Sequence, residues 1–339
     1  MSAVASLPAA GAVAIVSALL AWTALALCQA LLPRGLLAAQ MREQPPGTRP
    51  VRQLGGLVLV PLYLAALVLA AARFPELRAM LAVLGASVAL LWVVGVADDH
   101  NHLPIGLRLA AQFVAALAVA FAVEPGSFMA GGLLPYWLER ALVALALVYF
   151  VNMTNFMDGM DLMTVAGLGL PLILSLSLLT AGPLADPLAM ATFILAAGLA
   201  GFAVLNRPPA RLYLGDNGSL PLGLAAGALC ADLAFSAGPV AALLPFGYYL
   251  ADTLSTLAIR ILRGENILRS HSSHAYQVAR QAGRSPWWVV AHVAALNVVL
   301  AGVARAAAGQ PAPTAIGLGL AGAAACLAVI VWFRRQRPG

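Results

Sequence analysis

Asn152, Asn155, Asp158 and Asp161 recur at every third position in Asn152-Met-Thr-Asn-Phe-Met-Asp-Gly-Met-Asp161. Two carboxamides and two carboxylates can hold a cation or hydrogen-bond a polar ligand. They interrupt two uncharged stretches, 141–151 and 162–185, where such groups are costly unless something binds them. Three residues along a straight helix turn each side chain by about 60° from the last and fan the four apart. A break at Gly159 would fold them back towards one site. The plainer alternative is a polar helix end at a membrane surface.

Two further segments carry related chemistry. Asp98 and Asp99 precede His-Asn-His-Leu-Pro104. Adjacent carboxylates suit a divalent cation on a diphosphate, and crowding separates their proton affinities so that one can act as a base. His100 and His102 have no helical i+4 partner and make a poor metal pair. In Asn206-Arg-Pro-Pro-Ala-Arg-Leu-Tyr-Leu-Gly-Asp-Asn-Gly-Ser219, Asp216 stands between Gly215 and Gly218. The segment reads as the start of a helix that Ser219 can cap and whose free N–H groups attract phosphate. Asp216 would bring a metal to the same phosphate. Farther on, Asp252 lies in an apolar run, open to a structural or a functional reading, and the loop 260–277 holds Arg260, Arg263, Arg269, His271, His274 and Tyr276. Arg and His suit phosphate oxygens.

The elements that must position these groups are membrane helices. The chain is 62% hydrophobic and 9% charged, against about 25% charged in soluble domains. Spans of about 20 apolar residues number eleven, near 10–32, 55–72, 78–97, 105–123, 134–153, 163–181, 188–205, 218–236, 240–259, 287–305 and 314–333. The expected fold is therefore an all-α integral membrane protein forming a single polytopic unit over 1–339. All 19 basic residues are Arg. Fifteen of them, including Arg34, Arg42, Arg49 and Arg337, fall in or beside alternate segments on one side, and four (Arg73, Arg78, Arg140 and Arg305) on the other. The positive-inside rule then puts the N-terminus in the periplasm, the C-terminus in the cytoplasm and every polar cluster on the cytoplasmic face. The net charge of +6 reports this topology and not a nucleic-acid partner. Three isolated Cys residues suggest neither metal nor disulfide. A secondary transporter, which would set ionisable groups near the midplane, is the rival of another class, with Asp252 its best argument.

These clusters, in this order over about residues 40–280, resemble the polyprenyl-phosphate N-acetylhexosamine-1-phosphate transferases of glycosyltransferase family 4. The matching pieces are Gly55-Gly56, Asp98-Asp99 with Leu103-Pro104, Arg108 and Gln112, Asn152 to Asp161, Asn206, Leu214 to Ser219, Asp252-Thr253, and His274-Ala-Tyr-Gln277. The resemblance implies an Mg²⁺-dependent (or Mn²⁺-dependent) multi-pass enzyme of the bacterial inner membrane. It would move N-acetylhexosamine 1-phosphate from a UDP-N-acetylhexosamine to undecaprenyl phosphate and release UMP. By resemblance Asp216 ligates the metal; Asp98 and Asp99 handle lipid phosphate and metal, with Asp98 the base; Asn152, Asn155, Asp158, Asp161 and Asn206 bind the nucleotide; and Arg263, His271 and His274 contact phosphate or sugar, His274 counted as catalytic. Leu162 stands where the family usually has Gly, and the early loop 45–50 is abbreviated. The His-Ala-Tyr-Gln form is closer to the surface-polysaccharide branch, which starts O-antigen and similar glycans, than to phospho-N-acetylmuramoyl-pentapeptide transferase. The sugar, and whether the enzyme forms a homodimer, stay open.

Overall fold

Long uncharged runs can satisfy their backbone N–H and C=O groups in lipid only within helices, and the chain is helical nearly throughout. The computed structural model describes residues 3–33, 35–38, 51–124, 126–127, 133–179, 184–267, 269 and 271–336. Arg34, Arg42, Arg49 and Arg337, and the loop 45–50, lie outside them. Among the described residues nine helices are long and apolar enough to cross a membrane. Seven are α1 (Ala3–Leu31), α2 (Gly55–Arg73), α3 (Arg78–Asn101), α4 (Ile105–Ala122), α5 (Tyr136–Met157), α7 (Pro187–Asn206) and α8 (Asp216–Ala237); the last two are α12 (Pro286–Ala307) and α13 (Ala312–Arg334). A two-residue parallel pair, β1 (Arg52–Gln53) with β2 (Leu212–Tyr213), ties the chain before α2 to the chain before α8.

The expected spans 163–181 and 240–259 are not single helices, so nine, not eleven, qualify. The first is a π-helical turn at Val165–Gly169, then α6 (Leu170–Ser175) and a 3₁₀ turn. Pro171 has no N–H to give the carbonyl of Gly167, which accounts for the loosened turn ahead of it. The second is α9 (Pro239–Leu243), a 3₁₀ turn containing Pro245, and α10 (Gly247–Leu262). The two broken segments meet where the Tyr249 ring covers Gly167. Freed carbonyls there find donors: Tyr249 Oη–H to Met163 O at 2.8 Å and Asn297 Nδ2 to Ala166 O at 3.0 Å. Irregular backbone at this depth is tolerable because protein supplies those partners.

Helix α8 is the most enclosed span, while α1 and α13 expose most of their surface. Small residues let its neighbours close on it, as is common where lipid gives no hydrophobic drive between helices. A Cβ on Gly223 would lie 2.8 Å from Val151 Cα of α5. One on Gly95 of α3 would overlap the Asp216 carbonyl oxygen and stand 2.6 Å from Asn217 Cα. Gly95→Ala should therefore push α3 off the start of α8. A cost of about 1–3 kcal/mol is expected, read as a lower melting temperature together with lost turnover. Gly106→Ala, with nothing within 4 Å of its Cβ, is the control and should melt like the parent protein.

Candidate active site

The ends of α3, α4, α5 and α8 converge on one membrane-surface end of the bundle. Gly215 turns the chain into α8 with φ of +79°, and the first four N–H groups of α8 lack partners within the helix. Asp99 of α3 takes two of them, accepting Asp216 N and Asn217 N at 2.9 Å each, and the Asn217 amide donates to it as well. Gly218 N and Ser219 N close on Gly215 O at 3.0 and 2.9 Å. Two expectations change here. The cap of α8 is Asp99 from another helix, not Ser219, and no N–H of that first turn is left for phosphate.

Asp216 faces three other helix ends. Asn155 Nδ2 of α5 donates to its Oδ1 at 2.8 Å and to Ser219 Oγ at 2.9 Å. Arg108 of α4 reaches its Oδ2 at 3.3 Å and Asp98 Oδ2 at 2.7 Å with the same nitrogen, Nη1. Asp98 Oδ1 accepts Leu103 N at 2.6 Å.

As expected, α5 stops beside Gly159, with Asp158 closing it. A Cβ at Gly159 would collide with the Tyr276 hydroxyl, which donates to Phe156 O at 3.1 Å. The turn that follows puts Leu162 at φ +62°, a left-handed conformation that glycine adopts without strain. Leu162 N donates to Asn206 Oδ1 at 2.7 Å, Asp161 Oδ2 accepts Ala210 N at 3.0 Å, and Asp158 accepts the Thr164 hydroxyl. Asp98, Asp99, Asn155, Asp158, Asp161, Asn206 and Asp216 all line one cavity of about 360 Å³, with Gln53, His102 and Tyr213 also on its wall. A second cavity of about 470 Å³ at the opposite end gathers Glu76, Glu124, Asp186 and Asp232. The end expected to be plain is thus acidic.

Four expected site residues are not on the cavity wall. Asn152 turns to Gln112 Oε1, 2.6 Å away on α4. Arg263 is largely exposed and 3.9 Å from Glu265. His274 is buried behind the site with Nδ1 3.7 Å from Asp252 Oδ1, and His271 packs on its ring at 4.9 Å. Asp252 has a structural job: it accepts Ala275 N at the start of α11 (Ala275–Gln281) at 2.9 Å, Tyr248 Oη–H at 3.1 Å and Thr256 Oγ1–H at 3.2 Å. The transporter's best argument falls with it. Sequence reasoning assigned no role to Asn217 or Gln53, and named Arg108 only as one of the pieces that match the family, without a role.

Comparison with known proteins identifies the family. The family pattern described as "Glycosyl transferase family 4" matches residues 80–234, which hold Asp98, Asp99, Arg108, Asn155, Asp158, Asp161 and Asp216. Decaprenyl-phosphate N-acetylglucosaminephosphotransferase of Mycobacterium leprae is 30% identical, across 80% of this chain and 77% of its own. The chain belongs to glycosyl transferase family 4. The protein of the same name from Mycolicibacterium smegmatis is 29% identical over 88% and 82% of the two chains. Phospho-N-acetylmuramoyl-pentapeptide-transferase of Shouchella clausii is 30% identical over 78% and 88%. The family makes this chain a sugar-phosphate-transferring enzyme and a multi-pass protein of the inner membrane.

Within this family 4 site the groups on the loop are perturbed. Burial pushes the Asp158 carboxyl up to about 7, the Thr164 hydroxyl opposing and the Asp99 charge adding. Burial also raises Asp161, against the Ala210 N–H and the Arg280 charge. Burial, then the charges of His274 and Arg260, lower His271 to about 4, so it is neutral at pH 7 and meets a ligand as a hydrogen-bonding group, not a cation. The folded chain holds the Asp158 proton more tightly than the unfolded chain. Its contribution to stability is therefore complete below about pH 4 and is lost as pH rises to about 7. Asp158→Asn keeps the neutral shape at every pH. It should flatten the decline in melting temperature between about pH 4 and 7, worth at most about 4 kcal/mol and less where solvent reaches the group. An unchanged pH slope would mean that Asp158 is already ionised in the fold.

Proposed function

We propose that this enzyme transfers N-acetylhexosamine 1-phosphate from a UDP-N-acetylhexosamine to undecaprenyl phosphate on the cytoplasmic face, releasing UMP and starting an O-antigen or similar surface glycan. The observation that carries the reading is the meeting of Asp98, Asp99, Asn155, Asp158, Asp161 and Asp216 around one cavity at the end of the helices. Such a cavity is open to a water-soluble donor and lies at the depth of a lipid headgroup. Two relatives that align along most of their length bear the name N-acetylglucosaminephosphotransferase, which supports an N-acetylglucosamine donor. The surface-glycan assignment rests on the His274-Ala-Tyr-Gln277 form.

In this reading an oxygen of the lipid phosphate attacks the sugar-bound phosphorus of the donor. The bond to the UMP oxygen breaks, leaving a lipid diphosphate sugar. Phosphate monoesters have a second pKa near 6, so the acceptor is mostly deprotonated at neutral pH, and Asp98 takes the residual proton on Oδ2. The donor set fits Mg²⁺, or Mn²⁺ in its place: one or two carboxylates completed by substrate phosphates are what Mg²⁺ prefers, and a cationic nitrogen already lies between Asp98 and Asp216. Asp216 would hold the metal, which when bound would neutralise diphosphate charge and leave Asp98 free to serve as the base. Asp99, with both oxygens on the start of α8, positions Asp216 and need not be a ligand. Asn155, Asp158 and Asp161 hold the nucleotide, with Asn206 fixing their turn.

A panel of UDP-N-acetylglucosamine, UDP-N-acetylgalactosamine and UDP-N-acetylmuramoyl-pentapeptide, assayed with undecaprenyl phosphate for UMP release, tests the donor. Turnover with the pentapeptide donor alone would replace this reading with the peptidoglycan one. Asp216→Asn keeps the shape and loses the charge, and should lower kcat by about 10²–10³. Asp186→Asn is the control, because Asp186 caps α7 by accepting Ala189 N and Asn caps as well; it should turn over normally.

The proposed orientation, N-terminus periplasmic and C-terminus cytoplasmic, is supported by the Arg asymmetry. Reporter fusions after Arg305 and after Gly339 should read periplasm and cytoplasm respectively. The reverse pattern would put the catalytic cavity on the wrong face for a UDP-sugar.

A further inference from the structure

Arg108 stands in the first turn of α4, its side chain 28% exposed. Arginine usually meets carboxylates through a two-pronged fork. Here one nitrogen, Nη1, serves two acids from different helices, Asp98 Oδ2 at 2.7 Å and Asp216 Oδ2 at 3.3 Å. The rest of the guanidinium makes no hydrogen bond to another described residue. The other oxygens of the cluster are provided for without it. Leu103 N serves Asp98 Oδ1, Asn155 serves Asp216 Oδ1, and the start of α8 serves Asp99. The two oxygens left over are the pair that Nη1 bridges. Among the described residues no other cation lies within ion-pair distance of Asp98 or Asp216.

We propose that Arg108 is an exchangeable internal counterion. It holds Asp98 and Asp216 together in the metal-free enzyme, gives up that position when a divalent cation binds, and turns its free N–H groups to the phosphate oxygens in the cavity. The proposal rests on the reading of Asp216 as a metal ligand. Two carboxylates this close repel each other strongly unless a positive charge stands between them. A guanidinium that supplies this charge without metal must also compete with metal for the same oxygens. Phosphate needs a donor too, because the N–H groups of the first turn of α8 are all spent. Arg108 is the cation at hand with donors to spare.

Mn²⁺ binding to the purified full-length protein, followed by electron paramagnetic resonance without UDP-sugar or lipid, tests this. Arg108→Gln should bind Mn²⁺ about tenfold more tightly than the parent protein, since a competing charge is gone. Its metal-free form should melt lower and recover with Mn²⁺. Arg108→Lys keeps the charge and should bind within about threefold of the parent. A second measurement needs no variant: phenylglyoxal should label Arg108, read by peptide mass, faster when Mg²⁺ is added, and more slowly again once UDP-N-acetylglucosamine is also present. Equal or weaker Mn²⁺ binding by a folded Arg108→Gln overturns the proposal, as does labelling of Arg108 that Mg²⁺ does not accelerate. Asp216→Asn separates the two readings. If it binds Mn²⁺ as the parent does, the metal reading fails and takes the counterion with it; if it loses Mn²⁺ while Arg108→Gln gains nothing, only the counterion fails.

Discussion

Asp99, at the end of α3, accepts the first two N–H groups of α8, and the rest of the architecture at this end of the bundle hangs on that contact. A carboxylate at a helix N-terminus is favoured by the unpaired N–H groups and the helix dipole, by about 0.3–2 kcal/mol depending on burial. The larger effect is geometric. Asp216 is the first residue of α8, so fixing that end fixes its carboxylate, and Asp98, adjacent in sequence to Asp99, is carried to the same place. Gly95 and Gly56 make the approach possible, because a Cβ on either would run into Asp216 or Asn217 backbone.

A second layer supports the loop after α5 from behind. Asp252, buried in α10, anchors the start of α11, and α11 sends the Tyr276 hydroxyl to the last carbonyls of α5. A buried carboxylate is expensive unless fully hydrogen-bonded; here an N–H and two hydroxyls bond to it, and Arg334 of α13 lies 3.9 Å away. The charge that would mark a transport pathway in another protein is, in this one, the fastening between three helices and the loop that stops α5.

The chemistry itself is a matter of charge placed where phosphate charge shifts. Phosphoryl transfer leaves little covalent work to the protein, and positioning with electrostatic stabilisation does most of it. Five carboxylates line the cavity, and one guanidinium bridges two of them, so anionic substrates are held there only when further positive charge arrives with them. Splitting the tasks also follows from the geometry. Asp99 builds the frame, Asp216 and Asp98 face the Arg108 nitrogen, and Asp158 and Asp161 line the side where the turn after α5 opens.

The sequence by itself determined that this is a helical membrane protein, and that Asn155, Asp158, Asp161, Asp98 and Asp216 belong together at one end; it did not show the acidic cavity at the other. Hydrophobicity, helix breakers at Gly159 and Gly215, and the order of the motifs are local properties, and each can be read one segment at a time. It did not reveal the breaks at Pro171 and Pro245, since the apolar runs around them are long enough to span and the decisive feature is a neighbour, Tyr249 or Asn297, that serves the loosened backbone. It placed His274, His271 and Arg263 at the substrate by resemblance, whereas packing puts them behind or beside the cavity. It set Asp98 apart from Asp99 only by resemblance, and the surroundings of these two identical neighbours depend on which way each points from the last turn of α3. Only the tertiary structure decided that, because a carboxylate's role is set by the donors around its two oxygens, and those donors come from helices as far as 118 residues away along the chain.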